Sequence, residues 1–190
     1  MVETINTLFN HPVARKVFLN LRYVLALVAV GLIAYYSRIE LLWPGFVVSM
    51  VGQAIQLWSF ASLVKNEQLT ARGPYVLVRN PMYLGRYFLI LGFIVATGSY
   101  VAIVAYTLFY WFYMANRVRR EETRLAQLLG EPYKIYCGEV NRFLPNVLKV
   151  AEPAVRFFDL GVMRNNNGHW NLLATLVAWT TLVLYRLYLR

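Results

Sequence analysis

The chain has 190 residues, the length of one ordinary domain, but 59% of them are hydrophobic, 16% are aromatic and the mean hydropathy is +0.47. Such a composition is too apolar for a typical soluble domain and points to a membrane protein. The net charge of +10 does not make it a nucleic-acid binder: the basic residues gather beside apolar runs, where cytosolic flanks and anionic headgroups place them, and no zinc-finger, helix-turn-helix or RNA-binding pattern accompanies them.

A crossing helix needs about 20 residues to span a hydrocarbon core of about 30 Å. Residues 17–37 supply a first span, with Asn20 and Arg22 near its start, where a long side chain snorkels toward headgroups. A short turn, "RIE", leads to a second span over 41–64. Within it Gln53 and Gln56 share one helical face and are expected to hydrogen-bond between helices rather than to meet a ligand. A polar stretch follows at 65–81. Residues 82–97 and 100–116 then read as a tight helical hairpin turning at Gly98-Ser99. Each arm is only about 24–26 Å long at 1.5 Å per residue, slightly short for a full crossing. Beyond Asn116 the chain becomes charged, with Leu125, Leu128 and Leu129 at the spacing of an amphipathic helix that Gly130 and Pro132 should end. Residues 146–169 read as interfacial, and a last span covers about 170–189, with Trp170 as its anchor.

The expected fold is therefore all-α: a polytopic membrane helical bundle of about five transmembrane helices, including the tight hairpin, with a cytosolic cofactor pocket. Residues 1–190 read as a single integral membrane domain. Placing 1–16, 65–81 and 117–169 on one side gathers Arg15, Lys16, Lys65, Arg72, Arg79 and the nine basic residues from Arg117 to Arg164, leaving Arg38, Arg186 and Arg190 opposite. That asymmetry makes the first side, with the N-terminus, cytoplasmic. No cleavable leader is expected, and a plasma (inner) membrane is favoured over the endoplasmic reticulum. Cys137 stands alone, which excludes an internal disulfide framework and a cysteine-based zinc site, and His11 and His169 lie too far apart in sequence to suggest a metal centre.

Two polar stretches meet on the cytosolic side. In "RGPYVLVRNPMYLGR", residues 72–86, Gly73-Pro74 forces a turn and Pro81 biases Asn80 away from helical geometry. Backbone that leaves the helix at membrane depth must be satisfied by protein or by a water-filled cavity. Gly85 permits close approach of backbone or ligand, and Tyr75 and Tyr83 offer ring faces to a purine or a cation. In "RVRREE", Arg117 and Glu121 share a helical face, either as a surface ion pair or as the partners of anionic and cationic ligand groups. Glu122 points elsewhere on that helix, and Arg119, Arg120 and Arg124 face headgroups. On the residues alone, the first stretch reads equally as a ligand site and as an interfacial loop of snorkelling arginines and belt tyrosines.

"GPYVLVRNPMYLG" followed about thirty residues later by "RVRREETRLAQLLGEPYKIYCGEVNRFLP" resembles the isoprenylcysteine carboxyl methyltransferase and phospholipid methyltransferase superfamily. The likeness covers about 66–145. It implies S-adenosylmethionine as cofactor, cradled by Glu67, Gln68, Leu69, Thr70, Tyr75, Asn80, Pro81, Met82 and Tyr83, with Glu121 as the cofactor-contacting acid and Arg117 on the substrate side. Glu121 and Arg117 are thereby the expected catalytic pair. Tyr133, Tyr136 and Pro145 match the downstream pattern as scaffold or lid. Asn80 stands where the family usually has histidine, and an amide cannot titrate near neutral pH.

The resemblance implies in-line methyl transfer to a small lipophilic or lipid acceptor entering from the bilayer, governed by positioning and desolvation rather than by a nucleophilic triad or a metal. A carboxylate or thiolate acceptor needs no base and suits Arg117; an amine must first lose a proton, with Glu121, Glu122 or a tyrosine available. Membrane lipids are the other expected partners; the oligomeric state is left open. The rival enzyme is an NADPH-dependent membrane reductase of the sterol reductase type, which "GEPYKIYCGEVNRFLP" also resembles, although Arg86 stands where those proteins tend to carry an acidic residue. A non-catalytic membrane protein with a decayed site is the other alternative, suggested by Asn80.

Overall fold

The computed structural model describes residues 12–64 and 69–189, and every regular element among them is helical. In chain order these are α1 (Pro12–Tyr36), α2 (Ile39–Ser62), α3 (Pro81–Val95), α4 (Tyr100–Leu129), α5 (Glu131–Glu139), α6 (Leu160–Asn165) and α7 (Gly168–Tyr188), with 3-10 turns at Gly73–Val76, Val147–Ala151 and Pro153–Arg156. Helices α2 and α7 are long and apolar enough to cross a membrane; Tyr23–Tyr36 of α1 and α3 are apolar but shorter.

The sequence of α2 places Gly45, Ser49, Gly52 and Gln56 three or four apart, on one face, so another backbone can come close. That backbone is α3. A Cβ on Gly85 would lie 2.7 Å from Gln56 Cγ and 2.8 Å from the Gly52 carbonyl, and Ser49 Oγ donates to the Leu89 carbonyl at 2.7 Å. The freedom of Gly85 thus serves helix packing. Beside these residues on α2, Gln53 donates through Nε2 to Asn171 Oδ1 at 3.0 Å and accepts from Thr175 Oγ1 at 2.9 Å, joining α2 to α7 by the interhelical hydrogen bonding expected of it. Trp179 of α7 stacks on Phe93 and meets Phe46 edge-on, closing a core with Leu42, Ala96 and Leu182.

The hairpin turns at 96–99, as its sequence suggests, with Gly98 at φ +68. Its second arm does not stop where the apolar run ends. Helix α4 continues unbroken to Leu129, because "RVRREETRLAQLL" holds only strong or tolerated helix formers. Gly130, at φ +64, ends it, and Pro132 sits in the first turn of α5 rather than beyond all helix.

Residues 157–166 finish the C-terminus of α2, whose last carbonyls have no intrahelical partners. Asn166 Nδ2 donates to the carbonyls of Phe60 and Leu63 at 2.9 Å each, the Asp159 amide to Ala61 at 3.2 Å, and Arg72 Nε to Ser62 at 3.1 Å. Arg72 also lies over the Phe157 ring, 3.8 Å from its centroid. The stretch that reads as interfacial therefore also caps the helix that delivers the chain to the site.

Candidate functional site

Leaving α2, the chain must turn sharply, and Gly73 does so at φ +59 in a place where a Cβ would run into Ser62. The 3-10 turn that follows buries Tyr75, whose carbonyl accepts from the Tyr136 hydroxyl at 2.7 Å. Next comes irregular chain, residues 77–80. Segment 141–146 straps it: the Arg79 amide donates to the Asn141 carbonyl and the Asn146 amide to that of Leu77, both at 2.9 Å. Asn80, at φ −125 and ψ 55, is the last non-helical residue, and Pro81 opens α3, the geometry that the Asn-Pro pair predicts.

Between this loop, α4 and α5 lies a cleft of about 170 Å³. Every expected cofactor residue that the structure describes lines it: Leu69, Thr70, Tyr75, Asn80, Pro81, Met82, Tyr83 and Glu121. Glu67 and Gln68 lie outside the described residues. Leu63, Val64, Leu125 and Leu129 add apolar surface, Tyr133 and Tyr136 add aromatic surface, and Arg79 adds a cation. Thr70 is already engaged with Val64, accepting from its amide at 3.1 Å and donating to its carbonyl at 3.3 Å.

Arg117 and Glu121 come together, but through a third residue. The Tyr83 hydroxyl donates to Glu121 Oε2 at 2.5 Å and accepts from Arg117 Nε at 3.1 Å, while Arg117 Nη1 donates to the Tyr113 hydroxyl at 3.4 Å. Arg117 is not part of the cleft wall. Tyr83 also borders a second cavity of about 250 Å³, lined by Leu84, Tyr87, Thr107, Tyr110, Trp111, Met114, Phe143 and Leu144. Arg119, Arg120 and Arg124 are exposed on α4.

Glu122 lies on a different face of α4 from Glu121: it is absent from the cleft wall, turns inward, and is the only buried charged residue among the described ones. Arg142 donates to its Oε2 from Nε at 2.9 Å and lies within 2.7 Å through Nη2; Asn80 Nδ2 donates to Oε1 at 3.3 Å and to the Arg142 carbonyl at 3.2 Å; Arg79 Nε stands 3.5 Å from Oε1. The signal was present in the periodicity. Met114 and Val118, eight and four residues earlier, are buried, and Glu122 continues their face. Arg79 and Arg142 could not be placed that way, since each lies on non-helical chain.

Burial pushes the Tyr75 hydroxyl well above its ordinary range, and Tyr136, Glu121 and Tyr83 push it further. Burial raises Tyr136 and Tyr133 as well, with Cys137 adding to the latter. These side chains remain neutral phenols at any physiological pH, suited to donate hydrogen bonds and to pack, not to act as bases. Tyr133 and Tyr136, expected as scaffold or lid, both line the cleft, and Tyr136 braces the turn at Tyr75; Pro145 is exposed and outside it.

A family model described as phospholipid methyltransferase matches residues 21–132, more than half of the chain. The chain belongs to that family. Among curated proteins it is 30% identical over 81 residues to "Protein-S-isoprenylcysteine O-methyltransferase" of Schizosaccharomyces pombe (strain 972 / ATCC 24843), covering 43% of this chain and 34% of the relative. It is 32% identical over 92 residues to the protein of the same name from Xenopus laevis, covering 46% and 32%. With "Probable protein-S-isoprenylcysteine O-methyltransferase" of Oryza sativa subsp. indica the identity is 28% over 115 residues, covering 54% and 60%. The alignments span about a third of the first two relatives' length. No solved structure matches the chain. The family match agrees with the resemblance carried by the two motifs, and neither the reductase nor the non-catalytic alternative finds support in these comparisons.

Proposed function

We propose that this chain transfers a methyl group from S-adenosylmethionine to a lipophilic acceptor at the membrane. One observation carries the reading: residues of both motifs, from Leu69 to Tyr83 and at Glu121, line one cleft, and Tyr83 of that cleft also borders an apolar cavity. The residues fit an adenosyl methyl donor. Leucines and tyrosines offer apolar and aromatic surface to a purine, Glu121 offers a carboxylate to an ammonium, and Arg79 presents a buried Nε without a hydrogen-bond partner.

When bound, the donor supplies an electrophilic methyl carbon on a sulfonium. The chain's own contribution is placement and exclusion of water. Tyr83, fixed by Glu121 and Arg117, borders both cavities and sets where an acceptor atom can approach, about 3–3.5 Å from the reacting carbon in a productive pose. Tyr87, Tyr110, Trp111 and Met114 surround an apolar tail, and Arg117 steers an anionic head toward Tyr83. A carboxylate or thiolate acceptor needs no base, which suits a site whose tyrosines stay protonated. The relatives' names contain isoprenylcysteine; a prenylated cysteine carboxylate is accordingly the first acceptor to try.

We read α1, α3 and the apolar part of α4 as further spans beside α2 and α7, giving about five crossings in one integral membrane domain over 1–190, with the motif region at 66–145 and an interfacial segment and last helix at 146–190. The cleft then opens to the cytoplasm, beside the basic residues, at a plasma (inner) membrane. Calorimetry of the purified protein with S-adenosylhomocysteine and with NADPH tests the donor; radiolabelled methyl donor with lipid extracts and prenylcysteine tests transfer. Micromolar binding of S-adenosylhomocysteine and label in an extractable lipid are expected. Binding of NADPH alone overturns the reading.

A further inference from the structure

The cluster around Glu122 holds more positive charge than its one carboxylate can match. Arg142 engages Oε2 twice, Asn80 takes Oε1, and Arg79 Nε approaches Oε1 at 3.5 Å without making a hydrogen bond. Two guanidiniums against one carboxylate leave one charge over. Water screens Arg142, whose side chain is 41% exposed, but the Arg79 side chain is only 12% exposed. The surplus therefore falls on Arg79, the single cation among the described residues that line the cleft. A buried charge without a full partner is strongly unfavourable, and a ligand anion would complete it.

An amino-acid end carries two charges of opposite sign, and the cleft wall carries the complement, with Arg79 as its cation and Glu121 as its acid. We propose that Arg79 receives the α-carboxylate of the methyl donor's amino-acid end, and that Glu122 and Arg142 are positioning residues that hold its guanidinium in the wall. This inference rests on the donor reading above and deepens it. Fixing the carboxylate at Arg79 sets one end of the donor against loop 77–80, which segment 141–146 straps in place.

The test compares S-adenosylhomocysteine with 5′-methylthioadenosine, the same nucleoside thioether without the amino-acid end, by calorimetry on the full chain in detergent. Wild-type protein is expected to prefer S-adenosylhomocysteine. Arg79→Gln should weaken S-adenosylhomocysteine by on the order of 10- to 100-fold, the effect of one charge-assisted contact, and leave 5′-methylthioadenosine within about 3-fold. Arg79→Lys, which keeps the charge, should recover part of the loss. The methylthioadenosine arm reports whether the cleft of each variant is intact. Equal weakening of both ligands in both variants, or unchanged affinity for S-adenosylhomocysteine in Arg79→Gln, overturns the assignment. So does equal affinity of the wild type for the two ligands, since the amino-acid end then contributes nothing. Wild-type protein that binds neither ligand overturns the donor reading itself.

Discussion

Replacing Glu122 by glutamine keeps the shape and an acceptor oxygen but removes the charge between Arg79 and Arg142. Hydrogen bonds to charged groups contribute about 1.5–3 kcal/mol each, well above neutral ones. Arg142, 41% exposed, regains water for its share, so the expected loss lies toward the lower end, about 2 kcal/mol. In a chain of this size each kcal/mol moves the melting temperature by about 2–4 °C, so Glu122→Gln should melt roughly 4–8 °C lower. Tryptophan fluorescence of the detergent-solubilised protein during heating reads this directly. Glu121→Gln is the comparison one residue away: Glu121 is exposed and bonded to Tyr83, and its loss should cost about 1 kcal/mol or less. Its effect should appear in donor affinity instead. If the two variants melt together, or Glu121→Gln melts lower, the division between a supporting and a binding carboxylate is wrong.

Gly52→Ala should destabilise by about 1–3 kcal/mol, because its Cβ would lie 2.5 Å from the Gly85 carbonyl, whereas Gly138→Ala on α5, with nothing within 4 Å, should be neutral or stabilising; thermal melting ranks them. Asn80→His places a group that titrates near pH 6.5 against Glu122, so its ratio of donor affinities at about pH 6 and pH 8 should depart from the wild-type ratio in calorimetry. Tyr75 and Tyr136 are held neutral above their ordinary range, so an unfolded chain ionises them first. Stability from these groups is complete below about pH 10 and falls as pH rises beyond it; the share of tyrosinate absorbance that the buried phenols contribute should therefore appear together with alkaline unfolding, after that of exposed tyrosines.

Much of the fold was written in local pattern. Gly98-Ser99 marked the hairpin turn, Gly130 the end of α4 and Asn80-Pro81 the start of α3, because each acts through its own backbone or its helical neighbours; Gln53 marked an interhelical hydrogen bond, but not that its partner is α7. The site was legible where its residues fall within the two motifs. Arg142 was not, since only tertiary folding brings segment 141–146 against 77–80. The inward turn of Glu122 follows from helical register, four residues after the buried Val118, but its partners Arg79 and Arg142 come from non-helical chain that no periodicity places. The capping of α2 by Asn166 lies 103 residues from Leu63 in sequence, beyond any local signal.

Helix α4 is a single rod of 30 residues, about 45 Å long, rooted at the Gly98 turn. Thr107, Tyr110, Trp111 and Met114 on its first half wall the apolar cavity; Glu121, Leu125 and Leu129 on its second wall the cleft. A movement of this one helix therefore alters both chambers together. A few degrees of tilt at the root would displace the far end most, so the wall of the apolar cavity acts as the short arm of a lever whose long arm carries the wall of the cleft.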